Sequence, residues 1–470
     1  MTTFGKSVMI LLAFILMSVH ATDTPKYMNQ LVGSAFLENK SYSILKEMCD
    51  LYGGRLAGTE PNEKAIALLK DSLQSLGCSP KLERFRMPGW RRMQDEVMML
   101  QPLKRKLRAA ALGYVQKKPT FEAEVVFIGF GLKSEFESAE CRDKIALVTS
   151  ERYKGTEKRP YRFEVIRRAA QNSCKAVLFI NRKPGELLLA GTGSFQGEPT
   201  PVPAYSITYE EGQWINRLLE DGREVKLSVT TESYCQPIES SNIRVKIPGQ
   251  HEDKIVIGAH IDSWDLGQGG IDNGLGTAIL FELARLFQNI HPQSNYTVEF
   301  VWFNGEELGL WGSKRYVQRH REDPIKMMMN LDMTGTPTGF NVMGFDEYMP
   351  VFEQILDQLN ALDLKRGVVS RPWINSDHSP FMLAGIPSIT PLAHLDDTMV
   401  KYYHSFGDTF DKVDKTYLAE ASAVLAITIS YLANNTEIDW KRLSSDETRN
   451  LMIKHNLKDQ LQRQGAWPFN

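Results

Sequence analysis

Cysteine is scarce in this chain and its charge is nearly balanced, and both shortages limit the functions to consider. The 470 residues include five cysteines. No two of them form a C-x-x-C motif, so a thiolate zinc site or a dithiol redox centre is not expected. An odd number leaves at least one thiol outside any intramolecular disulfide. The formal net charge of -2 at pH 7 predicts no nucleic-acid partner and no attraction to an anionic membrane.

Long hydrophobic runs are also rare, and the clearest one lies at the N-terminus. An apolar run over residues 8–19 follows Lys6, and small residues precede a predicted cleavage site after Ala21. This pattern predicts a signal peptide at 1–21, because the run is too short for a transmembrane helix. No later segment is expected to cross a membrane. We therefore expect a secreted glycoprotein, or one resident in the lysosome or another secretory-pathway lumen, with glycosylation sequons at Asn39, Asn295 and Asn434.

The pattern of the remaining sequence predicts an α/β protein with an inserted smaller domain. Residues 22–40 are predicted to be a short propeptide, and residues 41–90 show helical spacing of apolar residues. Short β-like runs surround one helical stretch over residues 100–235. Strand and helix patterns then alternate to about residue 435. We therefore predict a main domain formed by 41–99 and 236–470, with a mixed, largely parallel sheet flanked by helices, and an α/β insert at 100–235.

Polar side chains gather where three predicted strands of the main domain end. In an open α/β sheet, ligands bind in the crevice beyond the carboxyl ends of the strands. Carboxylates gathered there would repel one another and raise one another's pKa values. Bound divalent cations would remove this repulsion. Imidazole nitrogen and carboxylate oxygen are also zinc ligands. The residues at these strand ends are His260, Asp262, Glu306, Glu307 and Asp332.

Two further features favour a site with two metal ions. Asp272 lies in a glycine-rich turn before a helix, and a carboxylate there can bridge two metals about 3.5–4 Å apart. Glu306 and Glu307 are adjacent and point in different directions, so one can bind metal while the other takes a proton from metal-activated water. Each piece alone also fits a structural role, Asp272 as a helix N-cap and Asp332 at a turn. The combination favours the metal site.

These motifs resemble those of the co-catalytic di-zinc aminopeptidase and carboxypeptidase family. The tryptophan-containing run after His260 is typical of a carboxypeptidase branch. The matching stretches are His260-Ile261-Asp262-Ser263-Trp264-Asp265-Leu266-Gly267-Gln268-Gly269, Ile271-Asp272-Asn273-Gly274, Phe303-Asn304-Gly305-Glu306-Glu307, Asn330-Leu331-Asp332, Ser376-Asp377-His378-Ser379-Pro380-Phe381 and His404-Ser405-Phe406-Gly407-Asp408-Thr409. The resemblance implies the di-zinc exopeptidase fold and a protease-associated insert.

The resemblance also assigns roles at the predicted site. It implies that His260 and Asp332 hold one Zn²⁺, that Glu307 and His404 hold a second, and that Asp272 bridges the two. From the sequence alone, His378, His394 and His404 all remain candidates for the second imidazole.

The family resemblance further makes Glu306 the general base, and Asp262 the residue that orients His260. It implies a homodimer, and His394 is expected to be structural.

We therefore expect a metallo-exopeptidase of the carboxypeptidase or dipeptidase type, acting on dipeptides or short peptides through a zinc-bound hydroxide. His378 and Arg55 are the predicted substrate contacts, and Arg371 and Lys401 are further candidates for binding a terminal carboxylate. The alternatives are an aminopeptidase of the same family, which needs an acid for the free amine, and a catalytically inactive binding protein on the same fold. A single-zinc glutaminyl cyclase is a weaker alternative, because of the long insert.

Overall fold

The computed structural model describes residues 26–470 except for residues 156, 291, 293, 360, 361 and 363. The predicted signal peptide and the start of the predicted propeptide lie outside the described residues. The strands, in chain order, are β1 (Lys81–Arg91), β2 (Glu96–Gln101), β3 (Arg105–Lys106), β4 (Ala109–Ala111), β5 (Lys118–Gly129), β6 (Ile145–Thr149), β7 (Ala176–Ile180), β8 (Ala204–Ile207), β9 (Lys226–Thr231), β10 (Tyr234–Ile247), β11 (His251–His260), β12 (Tyr296–Phe303), β13 (Ile325–Asn330), β14 (Thr336–Asn341), β15 (Gly367–Val369) and β16 (Ser388–His394).

Helices cover both faces of the sheets. In chain order they are α1 (Lys26–Leu37), α2 (Ser41–Leu51), α3 (Glu60–Ser75), α4 (Lys133–Ser138), α5 (Arg162–Gln171), α6 (Tyr209–Glu220), α7 (Gly274–Ile290), α8 (Trp311–Arg319), α9 (Met349–Gln358), α10 (His378–Leu383), α11 (Asp397–Tyr402), α12 (Lys415–Asn434), α13 (Ser445–Lys454) and α14 (Lys458–Arg463). Short 3₁₀ turns occur at Asp346–Tyr348 and Phe410–Lys412.

The main sheet has the order β1-β10-β12-β11-β13-β16-β14-β15. Its centre, β12-β11-β13-β16, is parallel, and antiparallel pairs lie to either side. Strands β11 and β12 are rich in apolar residues that are fully buried, as expected for central parallel strands covered on both faces. The predicted mixed, largely parallel sheet flanked by helices is confirmed. The expectation of helix as far as residue 90 is wrong, because β1 alternates exposed and buried residues along an edge of this sheet.

The main core forms between the sheet and helices α1, α2, α7 and α12. Leu31 and Ala35 of α1 are fully buried in it, which argues against a propeptide that is removed from this segment. Among the described helices, α12 is long and apolar enough to cross a membrane, contrary to the expectation from the sequence. However, 72% of its most apolar window is buried inside the fold, as in the core helix of a globular domain.

A second sheet is formed by strands that lie between Glu96 and Thr231. Its order is β3-β2-β9-β5-β6-β7-β8-β4, and β5 to β8 run parallel. Its core also includes Trp264 and Leu308 from the main domain, so the two parts pack together next to the predicted site. We call residues 96–231 the insert, because they lie in the chain between two strands of the main sheet, β1 and β10. That they form a separate domain of the protease-associated class stays a prediction. The five cysteines are free thiols in the structure.

Charged residues are buried beneath one edge of the main sheet, where they neutralise one another. Glu299 on β12 is fully buried, and Lys254 donates to it at 2.6 Å. Arg244 donates to both Glu299 and Glu83. The hydroxyl of Tyr316 on α8 also donates to Glu299, at 2.7 Å. Since a buried charge is costly unless it is paired, this network makes the fold depend on all its members.

Candidate active site

The structure brings together the five predicted metal ligands at the carboxyl ends of the central strands. His260 ends β11, and its Nε2 lies 3.3 Å from Oδ1 of Asp272 and 3.6 Å from Oδ1 of Asp332. The Nε2 of His404, which follows α11, lies 2.9 Å from Oδ2 of Asp272 and 3.2 Å from Oε2 of Glu307. The two groups of ligand atoms therefore share Asp272, one oxygen facing each group.

The spacing of these atoms suits zinc. Tetrahedral zinc with bonds of about 2.0–2.1 Å places neighbouring ligand atoms about 3.3–3.4 Å apart. The four measured separations, 3.3, 3.6, 2.9 and 3.2 Å, lie around that value. The second oxygen of Glu307 is buried and has no hydrogen-bond partner, as expected if a cation satisfies it. The residues present therefore fit two metal ions.

The charges of the site also suit cations. Burial raises the pKa of Glu307 to about 7. Burial lowers the pKa of the His404 imidazole, but the neighbouring carboxylates of Glu307 and Asp272 outweigh it and raise the value to about 9. Burial likewise raises the pKa of Glu306 well above its usual range, with Glu307 and Asp332 adding to the effect. The buried carboxylates outnumber the imidazoles, so divalent cations would relieve their mutual repulsion.

Asp262 holds the turn that carries the glutamate pair. Its carboxylate is fully buried and accepts the backbone N–H groups of Glu306 and Glu307, each at 3.2 Å. His260 Nδ1 lies 3.0 Å from the backbone carbonyl oxygen of Asp262 and 3.6 Å from its carboxylate. Asp262 therefore contacts His260 chiefly through its main chain, whereas its side chain positions the two glutamates.

Asp408 and Asn273, which the sequence did not single out, hold Asp272 and Asp332 in place. Asp408 is 4% exposed and accepts the N–H groups of Ile271 at 2.7 Å and Asp272 at 3.1 Å. Asn273 accepts the N–H of Met333 at 3.0 Å and donates to the carbonyl of Leu331 at 2.8 Å, so it fixes the loop on either side of Asp332. Both residues lie within the quoted motifs, but no local pattern shows which distant backbone groups they bind.

The backbone of His404 is held by the insert. His404 has a φ of 55°, in the left-handed region that non-glycine residues seldom adopt. Its carbonyl accepts the N–H of Ala190 at 2.8 Å. The ring of Tyr403 stacks on its imidazole with 3.7 Å between centroids. The second sheet therefore helps to orient a predicted metal ligand.

Arg55 has a structural role in this fold, which argues against its predicted contact with substrate. The side chain is fully buried and donates to the carbonyl oxygens of Ile261 at 3.1 Å, Gln268 at 2.6 Å and Gly269 at 3.0 Å. It therefore shapes the loop between His260 and Asp272. Because its N–H groups already donate to main-chain carbonyls, the guanidinium has no free face for a peptide.

The surroundings of His378 also argue against its predicted contact with substrate. The residue is fully buried, and its Nε2 lies 2.8 Å from the carbonyl of Trp373. Burial lowers its pKa to about 4, so the ring is neutral near pH 7. Arg371 and Lys401, the other candidates for binding a terminal carboxylate, are exposed and do not line the cavity beside the predicted ligands. The same is true of His394, which was expected to be structural.

A cavity of about 690 Å³ opens beside Glu306, Glu307 and His404. Its walls come from the main domain, the insert and the C-terminal segment. Among the described lining residues, the cations are Arg162 of the insert and Lys314 of α8, and the carboxylates are Glu306 and Glu307. The cavity is large enough for a short peptide and is lined by charged groups as well as apolar ones.

The C-terminal segment closes one side of this cavity. Leu461, Gln464, Gly465 and Ala466 line it. Arg463 on α14 forms an ion pair with Glu164 of the insert, and its guanidinium lies 4.3 Å from the Tyr161 ring centroid. The contacts tie the end of the chain to the insert across the cavity.

Known proteins are similar to this chain in sequence and in fold. The model of peptidase family M28 matches residues 242–429. Carboxypeptidase Q of Mus musculus is 28% identical over 416 residues, covering 85% of this chain and 87% of the relative. Aminopeptidase YwaD of Bacillus subtilis (strain 168) is 27% identical over 417 residues, covering 84% of each. This chain therefore resembles peptidase family M28 over residues 242–429, and along most of its length it is similar to proteins named carboxypeptidase Q and aminopeptidase.

Solved structures show the same fold. A peptidase M28 precursor from Shewanella amazonensis SB2B superposes with a TM-score of 0.74 at 24% identity, covering 89% of this chain and 98% of that one. BSAP, a zinc aminopeptidase from Bacillus subtilis, gives a TM-score of 0.69 at 22% identity, covering 87% and 98%. The proteins to which this chain is similar include some named carboxypeptidases and some named aminopeptidases, so the similarity leaves the direction of cleavage open.

Proposed function

We propose that this protein is a metallo-exopeptidase of peptidase family M28 and that it hydrolyses dipeptides or short peptides with two zinc ions per chain. The observation that carries the proposal is the pair of ligand groups that share Asp272 beside the peptide-sized cavity. When bound, zinc supplies a Lewis acid for the scissile carbonyl and lowers the pKa of a water molecule to about 7. Its proposed ligands are His260, Asp332, Glu307 and His404, with Asp272 between the ions.

Glu306 is the proposed general base. It lines the cavity but belongs to neither ligand group, so its carboxylate is free to face a substrate. Asp262 fixes its backbone N–H and so limits the positions that the carboxylate can take. In hydrolysis, Glu306 takes a proton from the attacking water and returns it to the leaving amine nitrogen. The presence of this residue beside a complete ligand set favours an enzyme over an inactive binding protein.

Charge in the cavity favours the carboxypeptidase or dipeptidase type. A carboxypeptidase needs a cation for the terminal carboxylate, and Arg162 and Lys314 line the cavity. An aminopeptidase needs an acid for the free amine. Among the described lining residues the acids are Glu306 and Glu307, and the proposed mechanism already uses both. The aminopeptidase remains the second candidate because an aminopeptidase covers the chain as fully as the carboxypeptidases do.

Short substrates are proposed because the C-terminal segment closes one side of the cavity. Gln196 of the insert donates to the carbonyl of Gln464 at 2.8 Å, in addition to the ion pair between Arg463 and Glu164. A long peptide would have to displace these contacts to continue past the catalytic residues. The cavity therefore accommodates a few residues on that side.

Passage through the secretory pathway and assembly as a homodimer complete the proposal. The N-terminal pattern supports secretion, and the family resemblance supports the dimer. The sequon residues Asn39, Asn295 and Asn434 are each half-buried, and each side-chain amide donates to a backbone carbonyl at 2.7–3.0 Å. Attachment of a glycan in the folded state would require these bonds to break.

The test is a panel of free, N-acylated and C-amidated dipeptides, each with and without a chelator, using wild type and Glu306→Gln. We expect cleavage of free and N-acylated dipeptides, resistance of amidated ones, and loss of turnover with the chelator or with Glu306→Gln. Cleavage of amidated but not N-acylated peptides would establish the aminopeptidase instead. A zinc-loaded protein that cleaves none of them would contradict the peptidase proposal.

A further inference from the structure

A second cavity, of about 250 Å³, lies in the insert at the carboxyl ends of β6 and β7. Thr149 and Ser150 at the end of β6 and Asn181 after β7 line it. In an open parallel sheet, this is the edge where ligands bind. Arg162 and Tyr403 line both this cavity and the one beside the predicted metal ligands, so the two cavities share a wall.

The second cavity is lined by positive charge. Among its described lining residues there is no Asp or Glu. Its cationic side chains are Arg159, Arg162, Arg182 and Lys183. In the described part of the chain, no salt bridge joins any of them to a carboxylate. We call these four residues with their cavity the basic pocket. Cationic side chains on a protein surface are usually separated from one another and surrounded by water, whereas these four line one cavity.

Two of the four cations of the basic pocket donate to main-chain carbonyls, which leave their charge uncompensated. Arg162 donates to the carbonyl of Ala190 at 3.5 Å, and Lys183 donates to the carbonyl of Lys401 at 3.2 Å. Burial lowers the pKa values of Arg159 and Lys183, and the nearby charge of Arg182 lowers both further. Arg162 also begins α5, and the N-terminus of a helix favours anions. An anion would relieve the repulsion among these groups.

We propose that the basic pocket binds a small carboxylate or phosphate anion. Guanidinium groups match the planar, two-oxygen geometry of a carboxylate, and several of them meet here. The anion comes either from an acidic peptide in the neighbouring cavity or from free solute. Because Arg162 faces both cavities, an anion in the basic pocket lies beside the substrate site. Binding itself does not require the proposed peptidase activity.

The test of binding is calorimetric titration of glutarate, and separately of inorganic phosphate, into the zinc-loaded full chain at low ionic strength. We expect wild type to bind, and Arg182→Gln to bind roughly tenfold more weakly or worse, since charge-assisted hydrogen bonds are lost. Arg159→Gln, which removes a second cation of the pocket, should weaken binding in the same way. Arg167→Gln is the matched control, because Arg167 is exposed on α5 and does not line the pocket.

A wild type that binds neither anion would overturn the proposal, and so would equal losses in Arg167→Gln and Arg182→Gln. The source of the anion is decided by kcat/KM for dipeptides ending in Asp and in the isosteric Asn. A fall in the Asp-to-Asn ratio with Arg182→Gln assigns the pocket to acidic substrates. An unchanged ratio with weakened glutarate binding assigns it to a free anion. An inactive enzyme that still binds glutarate contradicts the proposed function alone.

Discussion

The replacement Asp408→Asn should weaken metal binding although Asp408 belongs to neither ligand group. Its two carboxylate oxygens accept the N–H groups of Ile271 at 2.7 Å and Asp272 at 3.1 Å. Asparagine offers one acceptor oxygen and one amide nitrogen. One of the two buried N–H groups would therefore lose its acceptor and face a donor. The turn that presents Asp272 would shift or become mobile.

The magnitude follows from these two bonds. A hydrogen bond to a charged group contributes about 1.5–3 kcal/mol, and an unpaired buried N–H adds a cost of similar size. Every 1.4 kcal/mol is about tenfold in an equilibrium constant. If the loss falls on the metal-binding conformation, zinc affinity should fall about 10–100-fold, the range typical of residues that hold metal ligands in place. The global fold should persist, because the replacement keeps the size of the side chain and leaves the apolar core unchanged.

The assay is competition for zinc between the protein and a chelator of known affinity, with circular dichroism to show that the variant is folded. Asp411→Asn is the control, because Asp411 lies three residues further on and its side chain is 73% exposed. We expect weaker zinc binding in Asp408→Asn and no change in Asp411→Asn. Unchanged zinc affinity in a folded Asp408→Asn protein would refute the argument that these two hydrogen bonds position Asp272.

Three further predictions concern the buried charges and the C-terminal segment. Lys254→Met should lower the free energy of unfolding in urea by up to about 3–5 kcal/mol, because it removes one of the two cations that pair with the buried Glu299. The exposed Lys246→Met should change this free energy little, and equal effects of the two replacements would contradict the reasoning. Burial opposes ionisation of Glu299, but Lys254 and Arg244 outweigh it and hold its pKa below the usual value. The ionised Glu299 should therefore contribute its full stabilisation above about pH 4.3 and lose it as the pH falls through the folded pKa. In acid-unfolding curves, the difference in unfolding free energy between wild type and Lys254→Met should accordingly narrow. Arg463→Ala should raise the rate of cleavage of longer peptides relative to dipeptides, and an unchanged ratio would argue that the C-terminal segment does not limit substrate length.

The architecture and the ligand cluster could be predicted because their signals are local in the sequence. Apolar, β-branched strands end in His260, in the Glu306 pair and in Asp332, and parallel strands deliver such residues to one edge. His404 was different, since three histidines fitted the pattern and the family resemblance chose among them. The strand β1 was missed because its apolar residues follow helical segments and its alternation is short.

The supporting residues could not be predicted because their partners are far away in the sequence. Arg55 binds carbonyl groups more than 200 residues later, and Asp408 binds N–H groups 136 and 137 residues earlier. A buried arginine and a substrate-binding arginine look alike in sequence. Only the folded chain shows that the carbonyls of a loop converge on Arg55, or that the insert places Arg162 beside the cavity.

The central claim is that one chain holds two zinc ions with Asp272 between them. Its most direct test is the zinc content of the purified, zinc-loaded protein, measured by mass spectrometry for wild type and Asp272→Asn, with circular dichroism to confirm folding. We predict two zinc ions per wild-type chain and a clear loss in folded Asp272→Asn. One zinc ion or none in wild type, or two retained in Asp272→Asn, would contradict the account.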